Sequence, residues 1–317
     1  MNKDYKPPYK VTDKIVNYIS KITEVVTKLT INHEELSNPR LRRENQIKTI
    51  HSSLAIENNS LSIDQVTDII NGKRVLGPPQ EITEVKNAFE TYEMILNFDP
   101  FSIEDLLKAH GILMKNLVKD NGKYRDGGVG VFAGKKLIHM APPAKFVPEL
   151  MIDLFRWASE STDIHPLIRS CVFHYEFEFI HPFSDGNGRM GRLWQTLILM
   201  NEYPIFEFLP FETLISQTQD EYYKSLSLSD KAGKSTFFIE YMLDVINKSL
   251  ENLLSYNSRT LKDIDRLEYF LRLGVKEFTR KDYMNIFKDR NKELEMEIDL
   301  YLNCLQKGAN TFLEGVK

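Results

Sequence analysis

The sequence predicts a mainly α-helical protein, and three observations carry that expectation. Apolar residues recur at spacings of three and four through most of the 317 residues, which lays one apolar stripe along a helix. Helix-start signals stand where such stripes begin. Only one stretch departs from the pattern, with glycines punctuating short β-branched and aromatic runs, the signature of a small β-hairpin.

Taken in order, Ile15, Ile19, Ile22, Val26 and Leu29 give the first helix its buried face. Ser62 with Gln65 reads as a capped start of a short helix that Gly72 follows, and Ser102 with Asp105 as another start. That second helix carries Ile103, Leu106, Leu107, His110, Leu113 and Leu117 on one side. Between about Tyr124 and Pro143, Gly127, Gly128, Gly130 and Gly134 separate Val129, Val131, Phe132, Leu137, Ile138 and Met140, and Ala141-Pro142-Pro143 stiffens the exit. Helices resume at Leu193, Trp194, Leu197 and Ile198 and are expected to run to about Ser258. A charged segment (Arg259, Lys262, Asp263, Asp265, Arg266) then leads toward a small C-terminal module. The expected division is a helical region over 1–100, a core over 101–255 and the module over 256–317. No internal repeat or low-complexity tract interrupts it.

Composition narrows the function classes. A formal net charge of −4 with 27% charged residues supplies no overall attraction to nucleic acid or anionic lipid. The two cysteines, Cys171 and Cys304, are far apart and lie in helical apolar patterns, which suits buried thiols in a reducing compartment. The start MNKDYKPPYK has no apolar signal core, and no run approaches a membrane span. The expected location is the cytoplasm, with no membrane partner.

Residues 181–192 are the chemically densest stretch: His181-Pro182-Phe183-Ser184-Asp185-Gly186-Asn187-Gly188-Arg189-Met190-Gly191-Arg192. Three of the chain's 15 glycines fall within six of these positions, as expected where backbone must approach something closely. Arg189 and Arg192 near a helix start oppose its dipole unless an anion sits on the loop, and free N–H groups there favour phosphate. His181 is a candidate general base, or else a helix-end histidine bonded to a carbonyl. Asp185 reads as a Mg²⁺ ligand shared with phosphate oxygens, or as an N-cap. Asn187, between two glycines, suits a left-handed backbone and either a phosphate or a carbonyl partner. Arg189 and Arg192, three apart, suit phosphate oxygens, with structural salt bridges as the alternative. His174 with His181 and Asp185 offers a further alternative, a metal site on one helix face.

These twelve residues resemble the signature of Fic-domain proteins, His-Pro-Phe-x-Asp/Glu-Gly-Asn-Gly/Lys-Arg-x-x-Arg, matched at every specified position. The resemblance implies a Fic-type helical core and transfer of AMP from ATP to a Ser, Thr or Tyr hydroxyl of a target protein, with pyrophosphate leaving. It implies His181 as base, Asp185 holding Mg²⁺, and Gly186, Asn187 and Gly188 cradling phosphates. Arg189 and Arg192 would grip the polyphosphate, and Phe183 would anchor the loop.

Ser53-Leu54-Ala55-Ile56-Glu57-Asn58-Asn59 resembles the same family's inhibitory-helix motif, Ser/Thr-x-x-x-Glu-Gly/Asn-Asn. The resemblance implies that Ser53, Glu57 and Asn59 belong to an inhibitory element, with Glu57 paired to Arg192 where the γ-phosphate belongs. A solvated acid at a helix end is the alternative, with Asn58 and Asn59 ending the helix. The hairpin resembles the family's target-docking flap, implicating Val129, Val131, Phe132, Leu137 and Ile138 in main-chain pairing with a target; a plain structural hairpin is the other reading.

Tyr222 and Tyr223 resemble paired tyrosines near the nucleotide, although Gln217, Thr218 and Gln219 replace the usual preceding Asn-Arg, leaving Tyr222 between an adenine contact and core packing. Phe278 to Tyr283 and Asn291 to Gln306 resemble a degraded winged helix, but Lys292 stands against Glu293, Glu295, Glu297 and Asp299. Specific DNA binding is therefore not expected. Self-modification and homo-oligomerisation fit the family. Removal of AMP, transfer of another nucleotide or phosphate-containing group, and nucleotide sensing are the competing functions.

Overall fold

The computed structural model describes residues 5–31, 39–133 and 136–272. Helices α1 (Asp13–Ile31), α2 (Pro39–Ile56), α3 (Ile63–Ile70), α4 (Pro79–Glu93) and α5 (Ile103–Leu113) precede a two-stranded sheet. Its strands are β1 (Gly130–Ala133) and β2 (Lys136–Met140), followed by α6 (Val147–Glu160), α7 (Pro166–Ile180) and α8 (Asn187–Glu202). Next come α9 (Glu212–Gln217), α10 (Gln219–Ala232) and α11 (Thr236–Arg272). The mainly α expectation holds.

Residues Met1–Leu253 form one compact unit and Leu254–Lys317 a second. Within the first, α7 and α8 are central. Leu167 through Phe177 are buried continuously, as are Arg189 through Met200, the mark of helices enclosed on all sides. Gly191 lets them close: a Cβ there would lie 2.7 Å from Glu178 Oε1 and 2.9 Å from His174 Cδ2. Aromatic rings of Phe155, Phe173, Phe177 and Trp194 fill the space around the pair.

Local signals placed several elements correctly. Ser62 and Gln65 form a reciprocal capping box at α3, and Ser102 accepts from the Asp105 N–H at α5. The α5 helix nevertheless stops at Leu113, short of Leu117, because the chain turns at Asn116 with φ of +62°. The largest difference lies at the other end, where α11 continues to Arg272, past the helix end expected at about Ser258 and through the charged segment. That segment has no glycine or proline, and alternating charges on a helix face are compatible with helix. The strands pair antiparallel with Gly130 opposite Met140, Val131 opposite His139 and Phe132 opposite Leu137, with an irregularity between Val131 and Phe132. Val129 precedes β1. The winged-helix reading of Phe278 to Tyr283 and Asn291 to Gln306, like Cys304, lies outside the described residues.

Candidate active site

The dense loop sits between the end of α7 and the start of α8. Helix α7 ends on His181, which adopts a left-handed conformation (φ +50°, ψ 62°) and returns its N–H to the Phe177 carbonyl. Pro182 enforces the stop, since a residue preceding proline is driven out of the helical region. The His181 Nδ1 faces the Glu178 carbonyl at 3.3 Å, with Glu178 Oε2 at 3.8 Å, and its side chain is 19% exposed. A carbonyl on Nδ1 selects the tautomer protonated there and makes Nε2 the basic nitrogen.

Phe183 is fully buried and stacks flat on His110, with ring centroids 3.6 Å apart and planes 4° apart. His110 Nδ1 accepts from the Gly122 N–H at 2.8 Å, so Nε2 donates to the Asp185 carbonyl at 3.0 Å. Burial pushes the His110 imidazole down to about 4, which keeps it neutral in that role. Asn187 closes the loop on itself: Oδ1 accepts from the Phe183 N–H and Nδ2 donates to the Phe183 carbonyl, both at 2.9 Å. The carbonyl partner expected as one of two readings for the Asn187 side chain is realised, and the left-handed backbone is not. Asn187 is the first helical residue, its side chain is committed to the loop, and the left-handed positions are His181 and Gly186.

Gly186 (φ +85°) tolerates what a side chain would not, because a Cβ there would also meet Met114 Sδ at 2.7 Å. Beyond it, the N–H groups of Asn187, Gly188 and Arg189 have no hydrogen-bond partner among the described residues. Three free amides at the start of a helix form an anion site. Asp185 Oδ1 accepts from the Gly186 N–H at 2.6 Å and faces Arg189 Nη2 at 3.3 Å, while its side chain stays 56% exposed. It is therefore neither a cap for the amides of Asn187 to Arg189 nor buried. No cluster of three metal-ligating side chains occurs among the described residues.

The two arginines diverge. Arg189 lies between Asp185 and Glu84, whose Oε1 is 3.7 Å from Nη1, so the salt-bridge alternative is realised for it. Arg192, in the second turn rather than the first, is wholly buried. Its Nε donates to Ser53 Oγ at 3.2 Å, and Nη2 donates to the Ser53 carbonyl at 3.0 Å and to Glu57 Oε1 at 2.8 Å. Its Nη1 is buried without a partner.

Glu57 arrives there as the residue that follows Ile56, the last of α2. Asn58 is left-handed (φ +68°), its N–H returns to the Ala55 carbonyl and that of Asn59 to the Leu54 carbonyl, the two bonds of a Schellman stop. A carboxylate at a helix C-terminus and a guanidinium near a helix N-terminus are each disfavoured by the dipoles. Paired, each compensates the other. Burial would lower the Arg192 guanidinium, yet the Glu57 carboxylate outweighs it and holds that cation firmly charged. Glu57 Oε1 also presses on Gly188, where a Cβ would overlap it. Asn59 Nδ2 donates to Glu84 Oε2 at 2.8 Å, Ser60 donates to Glu81 Oε2 from both N and Oγ, and Gln219 Nε2 donates to the Ile56 carbonyl.

Tyr222 belongs to the core. It is 2% exposed, with its hydroxyl 3.1 Å from His174 Nε2 and its ring against Phe238 and Tyr241. Tyr223 is half-buried and in edge contact with Tyr222, and burial, then the Glu57 carboxylate, raises its hydroxyl above the usual tyrosine value. The alternative of a metal site with His174 does not form: its Nδ1 bonds Gln195 Oε1 at 2.6 Å, both ring nitrogens are occupied, and burial pushes it down to about 3. Sequence reasoning missed His110, Arg125 and Glu84. A histidine at an apolar position of α5 was a signal for the first; nothing local marked the others.

Comparison with known proteins agrees with this geometry. The Fic/DOC family model matches residues 100–199. Protein adenylyltransferase fic-1 of Caenorhabditis briggsae is 29% identical over 228 residues, 68% of this chain and 42% of that protein. The chain thus spans about two fifths of the length of such relatives. Fic-1 (residues 134–508) of C. elegans superposes with a TM-score of 0.62 at 26% identity, covering 78% of this chain and 75% of that one. A crystal structure of a Fic family protein from Desulfovibrio desulfuricans G20 superposes with a TM-score of 0.78 at 47% identity, covering 96% of this chain and 92% of that one. With the signature loop folded around an anion-ready helix start and near-complete coverage of that homologue, the chain belongs to the Fic family.

Proposed function

We propose that the chain transfers AMP from ATP to a hydroxyl of a target protein and that Glu57 holds the transfer in check. The observation that carries this reading is the convergence on Gly188. Free amides of Asn187, Gly188 and Arg189, the unpartnered Arg192 Nη1 and an intruding carboxylate from α2 share one place. A carboxylate standing among anion donors marks where a phosphate group would go. The relatives named protein adenylyltransferase support the choice of AMP.

In the reaction, His181 Nε2 takes the proton of the target hydroxyl as its oxygen attacks the α-phosphorus. The bond from that phosphorus to the β-phosphate oxygen breaks, and pyrophosphate leaves. The amides and Arg192 hold the developing charge, so catalysis is chiefly placement and electrostatics. Asp185 fits a Mg²⁺ role: its carboxylate is half-exposed beside the amides, and one carboxylate plus phosphate oxygens is a common Mg²⁺ donor set. The ion would supply charge neutralisation on the polyphosphate. Arg189, salt-bridged to Glu84 and Asp185, reaches phosphate only by exchanging those partners. Tyr222 supports the nucleotide side through Tyr223. The hairpin serves as the dock for an extended target segment in this reading, and self-modification is its intramolecular form. Among the described residues no helix is long and apolar enough to cross a membrane.

The test is label transfer from α-labelled ATP. His181→Ala abolishes labelling of the chain and of partners while ATP affinity stays within about twofold; persistent labelling removes His181 as the base. Mass spectrometry of the product identifies the group added, and a mass other than AMP overturns the donor.

A further inference from the structure

Arg125 stands outside the signature, yet it makes more backbone contacts around the site than any signature side chain. It is 4% exposed. Its Nε donates to the His181 carbonyl at 2.7 Å, Nη2 to the Ile180 carbonyl at 3.2 Å and the Pro142 carbonyl at 2.6 Å, and Nη1 to the Gly127 carbonyl at 2.8 Å. Its own N–H donates to the Pro182 carbonyl at 3.0 Å. Among the described residues no carboxylate pairs with it. The charge is balanced instead by carbonyls, two of them at the C-terminus of α7, where the helix dipole favours a cation.

Those acceptors fall into two groups. Gly127 and Pro142 are the two feet of the hairpin, just outside β1 and β2. Ile180, His181 and Pro182 are the turn that presents the imidazole, including a non-glycine residue held left-handed. One planar guanidinium therefore joins both feet of the hairpin to the carbonyl of the candidate base, and its fixed fork defines their separation.

We propose that Arg125 is a positioning residue that makes the hairpin and His181 a single rigid unit. A target segment docked on the hairpin then presents its hydroxyl at a set distance from the imidazole. This rests on the AMP-transfer reading, but only in its consequence for activity; the mechanical link is a property of the fold. Lysine at this position keeps the charge yet has a single nitrogen, which cannot span four carbonyls in two groups. Glutamine keeps two donors on one nitrogen and loses the charge.

The experiment compares Arg125→Lys and Arg125→Gln, each in the Glu57→Gly background. Amide hydrogen exchange should rise at least tenfold at residues 130–133 and 136–140 and at His181 in both variants, with exchange within α8 and ATP affinity unchanged. Auto-labelling should fall at least tenfold, with the lysine variant less affected than the glutamine variant. Unchanged exchange in the hairpin overturns the link. Raised exchange with undiminished labelling overturns the positioning role. If Glu57→Gly alone transfers no label, the AMP-transfer reading fails, while the exchange measurement still judges the link. Should a variant not fold, exchange in the unaltered chain serves instead: hairpin amides and the His181 amide open with one common free energy under the proposal, and separate values overturn it.

Discussion

Replacing Glu57 with glycine is the most informative perturbation of this molecule. The carboxylate lies 2.8 Å from the Nη2 of a guanidinium with 0% exposure and is itself only 32% exposed. A charge pair at ~4 Å in an effective dielectric of ~20 interacts by about 4 kcal/mol. Solvent access to Glu57 and the work of exchanging one anion for another reduce the part that opposes a phosphate to about 2 kcal/mol. At ~1.4 kcal/mol per factor of ten, that is a roughly 30-fold gain in productive triphosphate binding.

Glu57→Gly should therefore raise affinity for a non-hydrolysable ATP analogue, measured by titration calorimetry, and raise auto-labelling by a similar factor. Without nucleotide the variant should melt lower than the parent, since Arg192 is left buried without its charge partner. Added nucleotide should restore the difference. Glu57→Gln, which keeps the volume and removes the charge, should follow the glycine variant in affinity. Unchanged affinity in both variants refutes the electrostatic argument. Raised affinity with lowered net labelling would assign Glu57 to hydrolysis of the product instead.

Other outcomes follow from the same geometry. Asn59→Ala removes the bond to Glu84 that holds the end of α2, worth about 1 kcal/mol. It should raise nucleotide affinity about fivefold in the parent chain and leave the Glu57→Gly variant unchanged. Gly186→Ala places a Cβ at positive φ and against Met114 Sδ. It should cost about 2–4 kcal/mol by urea unfolding; a cost near zero would show that the loop relaxes freely. Stability should also carry two opposing pH dependences. Burial pushes His110 and His174 from 6.5 down to about 4 and about 3, so the unfolded chain gains protons below 6.5 that the fold refuses, and stability falls as pH falls. Burial pushes Glu176 and Glu212 from 4.5 up to about 7, so the fold keeps protons that the unfolded chain releases, and stability falls as pH rises from 4.5 to about 7. The pairs offset each other between 4.5 and 6.5; a urea midpoint that climbs steadily from pH 6 to 8 would refute this assignment.

Sequence alone determined the helical class and the capped starts of α3 and α5, and it marked residues 181–192 as the loop between two helices. Each is a local property: periodicity, a side chain three residues from its backbone partner, a proline, or glycines beside cations. It also pointed to Glu57 and Arg192 as partners, because a resemblance can carry a contact across 135 residues that spacing cannot. Tertiary structure decided which donors remain available. The side chains of Asn187 and Arg189 look like phosphate ligands in sequence, yet the first is consumed by Phe183 and the second is drawn to Glu84, which stands on another helix, and only their main-chain amides stay free. Tyr222 and Tyr223 are adjacent and chemically alike, and only packing against His174 and Phe238 makes one core and leaves the other half-buried. Arg125 had no distinguishing neighbours, and His110 only its place on an apolar helix face; their roles exist only where the fold brings backbone carbonyls and a ring within reach. Burial, unlike periodicity, depends on the whole chain, and here burial selects which polar groups are spent on the fold and which are left for a ligand.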